Sequence, residues 1–93
     1  MTYSLSREAL ADLHNIVRYG THRYGKDSAA KYLSALMTCF DRIVLHPMMF
    51  PAVDEVKACY RKCVCQRETI YFRLSNDQVD IVRVIRWQAY RGD

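Results

Sequence analysis

The sequence predicts an α+β fold of order β-α-α-β-β-β, with a helical hairpin packed on one face of a small, twisted, mainly antiparallel sheet. Two features carry this reading. The first half repeats apolar residues every three or four positions, as a helix with one buried stripe requires. From Arg61 to Arg86 the pattern changes to R-K-C-V-C-Q-R-E-T-I-Y-F-R-L-S-N-D-Q-V-D-I-V-R-V-I-R, where apolar and basic residues interleave at strand spacing.

Thr2 to Leu5 reads as a short extended lead-in. Ser6 suits a helix N-cap, and Glu8 suits the positive end of the helix dipole. Leu10, Leu13, Ile16, Val17, Gly20 and Tyr24 then form a stripe, and the helix is expected to end near Tyr24-Gly25. Asp27 or Ser28 is the expected cap of a second helix with the stripe Ala29, Leu33, Leu36, Met37, Phe40, Ile43 and Val44, stopped by His46-Pro47. The short gap forces the two helices into an αα-hairpin. Residues 47–58 hold both prolines and read as an irregular crossing.

Three strands are expected near 60–65, 69–74 and 79–86. Ser75-Asn76-Asp77-Gln78 is a good hairpin turn because Asn and Asp tolerate positive φ, and Gln66-Arg67 is a weaker one. With two-residue loops and no irregularity, Ile70, Phe72, Leu74, Val79, Ile81 and Ile85 share the face that covers the helices. The opposite face carries Tyr60, Lys62, Tyr71, Arg73, Asp80, Val82, Val84 and Arg86, with Arg73 opposite Asp80. Arg83 then falls on the core face and needs an acceptor or an edge position.

Ninety-three residues are expected to form a single domain, 1–93, with a modest core. Fourteen Lys and Arg against ten Asp and Glu give a net charge of +4, and ten of the cations are Arg, which pairs bidentately with carboxylate or phosphate. That balance fits nucleic acid, a ribosome or an acidic protein as partner. No apolar run approaches the roughly 20 residues of a membrane span, and the first residues lack a secretory pattern. A cytoplasmic protein with no membrane partner is expected. Cys39, Cys59, Cys63 and Cys65 include no C-x-x-C pair, and the histidines at 14, 22 and 46 lie apart from them. Buried, reduced thiols are expected, with no metal and no cofactor.

The ordered set of segments resembles the RelE/ParE superfamily of toxins from type II toxin–antitoxin systems, and its ParE branch most. The carrying residues are A-L-A-D-L-H-N-I-V-R-Y, Y-L-S-A-L-M-T-C-F-D-R-I, H-P-M-M-F-P-A-V-D-E-V, Y-R-K-C-V-C-Q-R-E-T-I-Y-F-R-L and D-I-V-R-V-I-R, which together span nearly the whole chain. The resemblance implies a toxin that inhibits bacterial growth and is neutralised by a cognate ParD-like antitoxin with an acidic tail, disordered when free. It implies a ParE-like poison of DNA gyrase, or alternatively a RelE-like endoribonuclease cutting mRNA on the ribosome. For a nuclease the candidate catalytic residues are Lys62, Arg73, Arg86 and Tyr90, of which only Arg86 and Tyr90 are loose counterparts of the family's catalytic groups. Many ParE-like chains carry His where Arg86 stands, so this chain departs slightly from both patterns.

The residues themselves favour docking over catalysis, because no histidine lies in the sheet or tail to act as general acid or base. Antitoxin contact is expected at Tyr60, Lys62, Tyr71, Arg73 and Arg86. Target contact is expected at Arg86, Trp87, Tyr90 and Arg91, where aromatic rings stand between cations. A plain nucleic-acid-binding module is a third reading, weakened by the small net charge.

Overall fold

A computed structural model describes residues 2–86. Its elements are β1 (Tyr3–Leu5), α1 (Arg7–Tyr24), α2 (Lys26–Leu45), a 3-10 turn (Pro47–Met49), β2 (Tyr60–Cys65), β3 (Glu68–Ser75) and β4 (Gln78–Arg86). The four strands form one sheet in the order β1-β4-β3-β2, with β1 parallel to β4 and the other pairs antiparallel. Both helices cover one face, and Trp87, Tyr90 and Arg91 lie outside the described residues.

Ser6 starts α1 as its sequence context requires. Its hydroxyl oxygen accepts from the Ala9 N–H at 2.9 Å, and the same hydroxyl donates to the Val82 carbonyl at 2.7 Å. Loss of such a cap costs about 1 kcal/mol, and here it would also untie α1 from β4. Gly25 alone joins the helices, with φ at 95°, a conformation that glycine adopts at little cost. Asp27 and Ser28 do not cap α2, because that helix begins at Lys26, directly after the glycine.

The core joins Leu13 of α1, Leu36, Phe40 and Ile43 of α2, and Ile70, Phe72, Val79, Ile81 and Val84 of the sheet. Ala9 and Cys39 also enter it, whereas Leu10, Tyr24 and Met37 from the expected stripes are exposed. Each stripe is therefore rotated slightly from the position that the largest apolar residues indicate.

The Asn76-Asp77 turn has both residues at positive φ, and Gln66 also takes positive φ in the other hairpin. Arg73 lies opposite Asp80, their side chains 3.4 Å apart. Beyond that pair the expected alternation fails. Phe72 is opposite Ile81 while Tyr71 is opposite Arg83, so Val82 is an extra residue in β4. The bulge reverses the parity of the strand end. Val84 enters the core, Ile85 moves to the outer face, and Arg86 comes to lie on the helix side opposite Glu68.

Arg83 is thereby on the outer face, at the stretch of β4 that the three-residue β1 does not reach. It turns over the edge to Asp12 of α1, donating from Nε at 2.8 Å and from a terminal nitrogen at 2.9 Å. The same carboxylate accepts the Val84 backbone N–H at 2.9 Å.

The expectation of four reduced thiols is corrected by a Cys39–Cys65 disulfide, with Cα atoms 6.5 Å apart, between α2 and the end of β2. Both residues point into the interface where α2 crosses the sheet, which brings together two cysteines 26 positions apart. Closing a loop of that length lowers the freedom of the unfolded chain by roughly 3–4 kcal/mol in the chain-entropy account. Cys63 is buried and free, its thiol pKa pushed up by burial, and Cys59 is exposed.

Two tests follow from this packing. Without reductant the native protein should show one rapidly alkylated thiol, Cys59, and one slow thiol, Cys63; four should react only after reduction and unfolding. Four thiols in the unreduced, unfolded chain would refute the bond. Asp12→Ala should lower the urea-unfolding free energy by roughly 2–3 kcal/mol, because it strands the Val84 N–H and removes the ion pair with Arg83. Asp12→Asn, which keeps an acceptor, should recover part of the loss.

Candidate functional site

Two surfaces carry the polar chemistry, one on each side of the sheet. The outer face holds two cross-strand rows, Tyr60–Arg73–Asp80 and Lys62–Tyr71–Arg83. Asp80 is anchored by the Ser4 hydroxyl, which donates to it at 3.0 Å, so the acceptor for Arg73 is held from β1. Lys57 approaches the Tyr60 ring at 5.8 Å. Tyr71 is buried although it belongs to this outer face. Four of the five residues expected to meet an antitoxin are thus brought together here: Tyr60, Lys62, Tyr71 and Arg73.

Arg86 is not among them. It lies on the helix side, 3.6 Å from Glu68 and 5.9 Å from the centre of the Tyr19 ring. Glu68 is fully buried and accepts a hydrogen bond from the Tyr32 hydroxyl at 2.9 Å. That hydroxyl also accepts the Arg67 backbone N–H at 3.1 Å, which fixes the β2–β3 turn against α2. A cleft of about 410 Å³ opens above this network, between the α1–α2 junction and the turn. Tyr19, Tyr24 and Tyr32 line it with Arg67 and Arg86, over a floor formed by Ile16, Gly20 and Ala29. The helices are close at Gly20, where an added Cβ would meet that of Ala29 at 3.4 Å, an ordinary van der Waals contact.

The sequence reading missed Glu68, Tyr32 and Tyr19. Glu68 carried a usable signal, since it alternates with Ile70 and Phe72 and must share their inward face. The tyrosines carried none, because their rings serve equally well as core.

Family comparison resolves which class of protein presents these two surfaces. Residues 3–87 match the family described as "ParE toxin of type II toxin-antitoxin system, parDE". The chain belongs to the ParE toxin family. It is 35% identical over 83 residues to "Toxin ParE1" of Caulobacter vibrioides, covering 89% of this chain and 85% of that protein. A "Toxin ParE1" of Mycobacterium tuberculosis is 34% identical over 84 residues, covering 89% and 86%. The fold is similar to a chain of the solved "Chromosomal ParDE TA system from P. aeruginosa", with a TM-score of 0.81 at 18% identity, over 92% of this chain and 95% of that one.

In this ParE toxin the tyrosines of the cleft differ in acidity. The Arg23 hydrogen bond, with help from Arg67, holds the exposed Tyr24 hydroxyl below the usual phenol range. Burial, reinforced by Glu68, pushes Tyr32 above it. All three histidines are exposed helix or helix-end residues. No group of three or more His, Cys, Asp or Glu able to hold a metal occurs among the described residues.

The acidity difference is measurable by tyrosinate absorbance: Tyr24→Phe should remove a component that ionises below the usual phenol range. For Tyr32 the folded state favours the neutral phenol. Its contribution to stability is therefore full below about pH 10, the unfolded phenol value, and is lost as pH rises through the higher folded value. Tyr32→Phe should abolish that alkaline decline while lowering stability at neutral pH by roughly 1–3 kcal/mol through its lost hydrogen bonds.

Proposed function

We propose that this ParE toxin acts in the cytoplasm as a non-enzymatic poison of DNA gyrase and is neutralised by a cognate ParD-like antitoxin. The observation that carries the non-enzymatic part is the separation of the cations. Lys62 and Arg73 stand on the outer face, whereas Arg86 stands on the helix side beside Glu68. A ribonuclease site would need such groups to converge within hydrogen-bonding reach of one phosphate. The resemblance to the ParE branch supports gyrase as the target. No helix among the described residues is long and apolar enough to cross a membrane.

The antitoxin's acidic tail would order across the outer face at Tyr60, Lys62, Tyr71 and Arg73, and reach Arg86 round the end of β4. Such coupled ordering lets a small toxin gain buried area from its partner. Arg86, Trp87, Tyr90 and Arg91 are the proposed target contacts, so the two partners would compete at Arg86.

Induction of the chain from a tightly repressed promoter tests the reading. Gyrase-linked DNA breaks with intact mRNA within minutes are expected, and prompt cleavage of translated messages would overturn the gyrase assignment. Arg73→Glu and Arg86→Glu should each speed dissociation of the antitoxin complex. Unchanged dissociation in both would remove the sheet from the antitoxin interface.

A further inference from the structure

The cleft at the α1–α2 junction has features that the core does not require. Tyr19 and Tyr24 are 53% and 58% exposed, which leaves aromatic surface on α1 in contact with water. Arg86 retains a side chain 40% exposed, and its separation of 3.6 Å from Glu68 is longer than a strong charge-assisted bond. Arg67 is exposed on the opposite lip. Glu68, the acid nearest these cations, is sealed beneath the cleft by Tyr32. The opening is therefore cationic, bordered by rings and floored by apolar groups. Its volume of about 410 Å³ lies in the range that small-molecule sites occupy.

We propose that this cleft binds a nucleoside monophosphate, with the base against the tyrosine rings and the phosphate between Arg67 and Arg86. Guanidinium groups pair bidentately with phosphate oxygens, and a flat base offers a π-face to a tyrosine. A carboxylate alone would satisfy the arginines and leave the rings uncovered; a neutral ring would do the reverse. The Arg23 hydrogen bond, with smaller contributions from the charges of Arg23 and Arg67, lowers the Tyr24 hydroxyl below the usual phenol range, in keeping with a cationic rim. The site is on the opposite side of the sheet from Lys62 and Arg73, and it shares only Arg86 with the contacts proposed above.

Calorimetric titration of the full chain tests the site, with AMP and UMP as ligands and adenosine and inorganic phosphate as fragments. Saturable binding of a monophosphate is expected, with each fragment weaker by roughly tenfold or more, the loss that follows removal of one charge-assisted or stacking contact. Arg67→Ala and Tyr24→Ala, both at exposed positions, should weaken binding by a similar factor without changing the unfolding midpoint. Arg73→Glu, on the outer face, should leave it unchanged. Absence of saturable binding, retention of affinity in both cleft variants, or binding of oligonucleotides but not monophosphates would each overturn the proposal. Because the readout is binding by the isolated protein, its failure leaves the gyrase reading standing, and the reverse holds.

Discussion

Strand β4 is nine residues long, but its neighbour β1 supplies only three, and the remaining edge must be satisfied by α1. Ser6 and Asp12 do this from successive turns of the helix. Ser6 binds the Val82 carbonyl through its hydroxyl, and its own N–H donates to the Ile81 carbonyl at 2.9 Å. Asp12 takes the Val84 N–H and the Arg83 guanidinium. An exposed sheet edge is an adhesive surface, and here a helix stands where a longer strand would otherwise be needed. The extra residue Val82 falls inside this clasp, and the positions of Val84, Arg83 and Arg86 all follow from it.

Much of the fold was legible because local chemistry and global topology agree. Ser6 before a periodic run, Gly25 after it, Pro47 beyond the second helix and Asn76-Asp77 between two alternating strands each point to one conformation. The order of elements, the Arg73–Asp80 pair and the inward side of Ile70 and Phe72 follow from those signals together with strand parity. The ParE family could be recognised for the same reason, since its marks are an ordered set of such segments.

The site was less legible, and the cause is specific. Alternation assigns side chains to faces only if no residue is added, and D-I-V-R-V-I-R gives no local mark of its bulge, containing neither glycine nor a residue at positive φ. The groove expected on one surface therefore divides: Lys62 and Arg73 remain outside while Arg86 crosses to the helices. The disulfide was hidden differently. Cys39 and Cys65 are distant in sequence and lack the spacing of a known motif, so only the crossing of α2 over β2 reveals the pair.

The bulge has an evolutionary consequence. Removing one codon at Val82 would restore regular pairing and leave Arg83 outside and Arg86 on the helix side, whereas regular pairing with Val82 retained would turn Arg83 inward and return Arg86 to the company of Lys62 and Arg73. An added residue that is absorbed as a bulge thus keeps the charges beyond it on their own surfaces, whereas one absorbed by regular pairing exchanges them between two opposite surfaces. Divergence in this fold need not proceed through substitution of the recognition residues themselves; a shift in strand phase re-addresses the same arginines to a different partner.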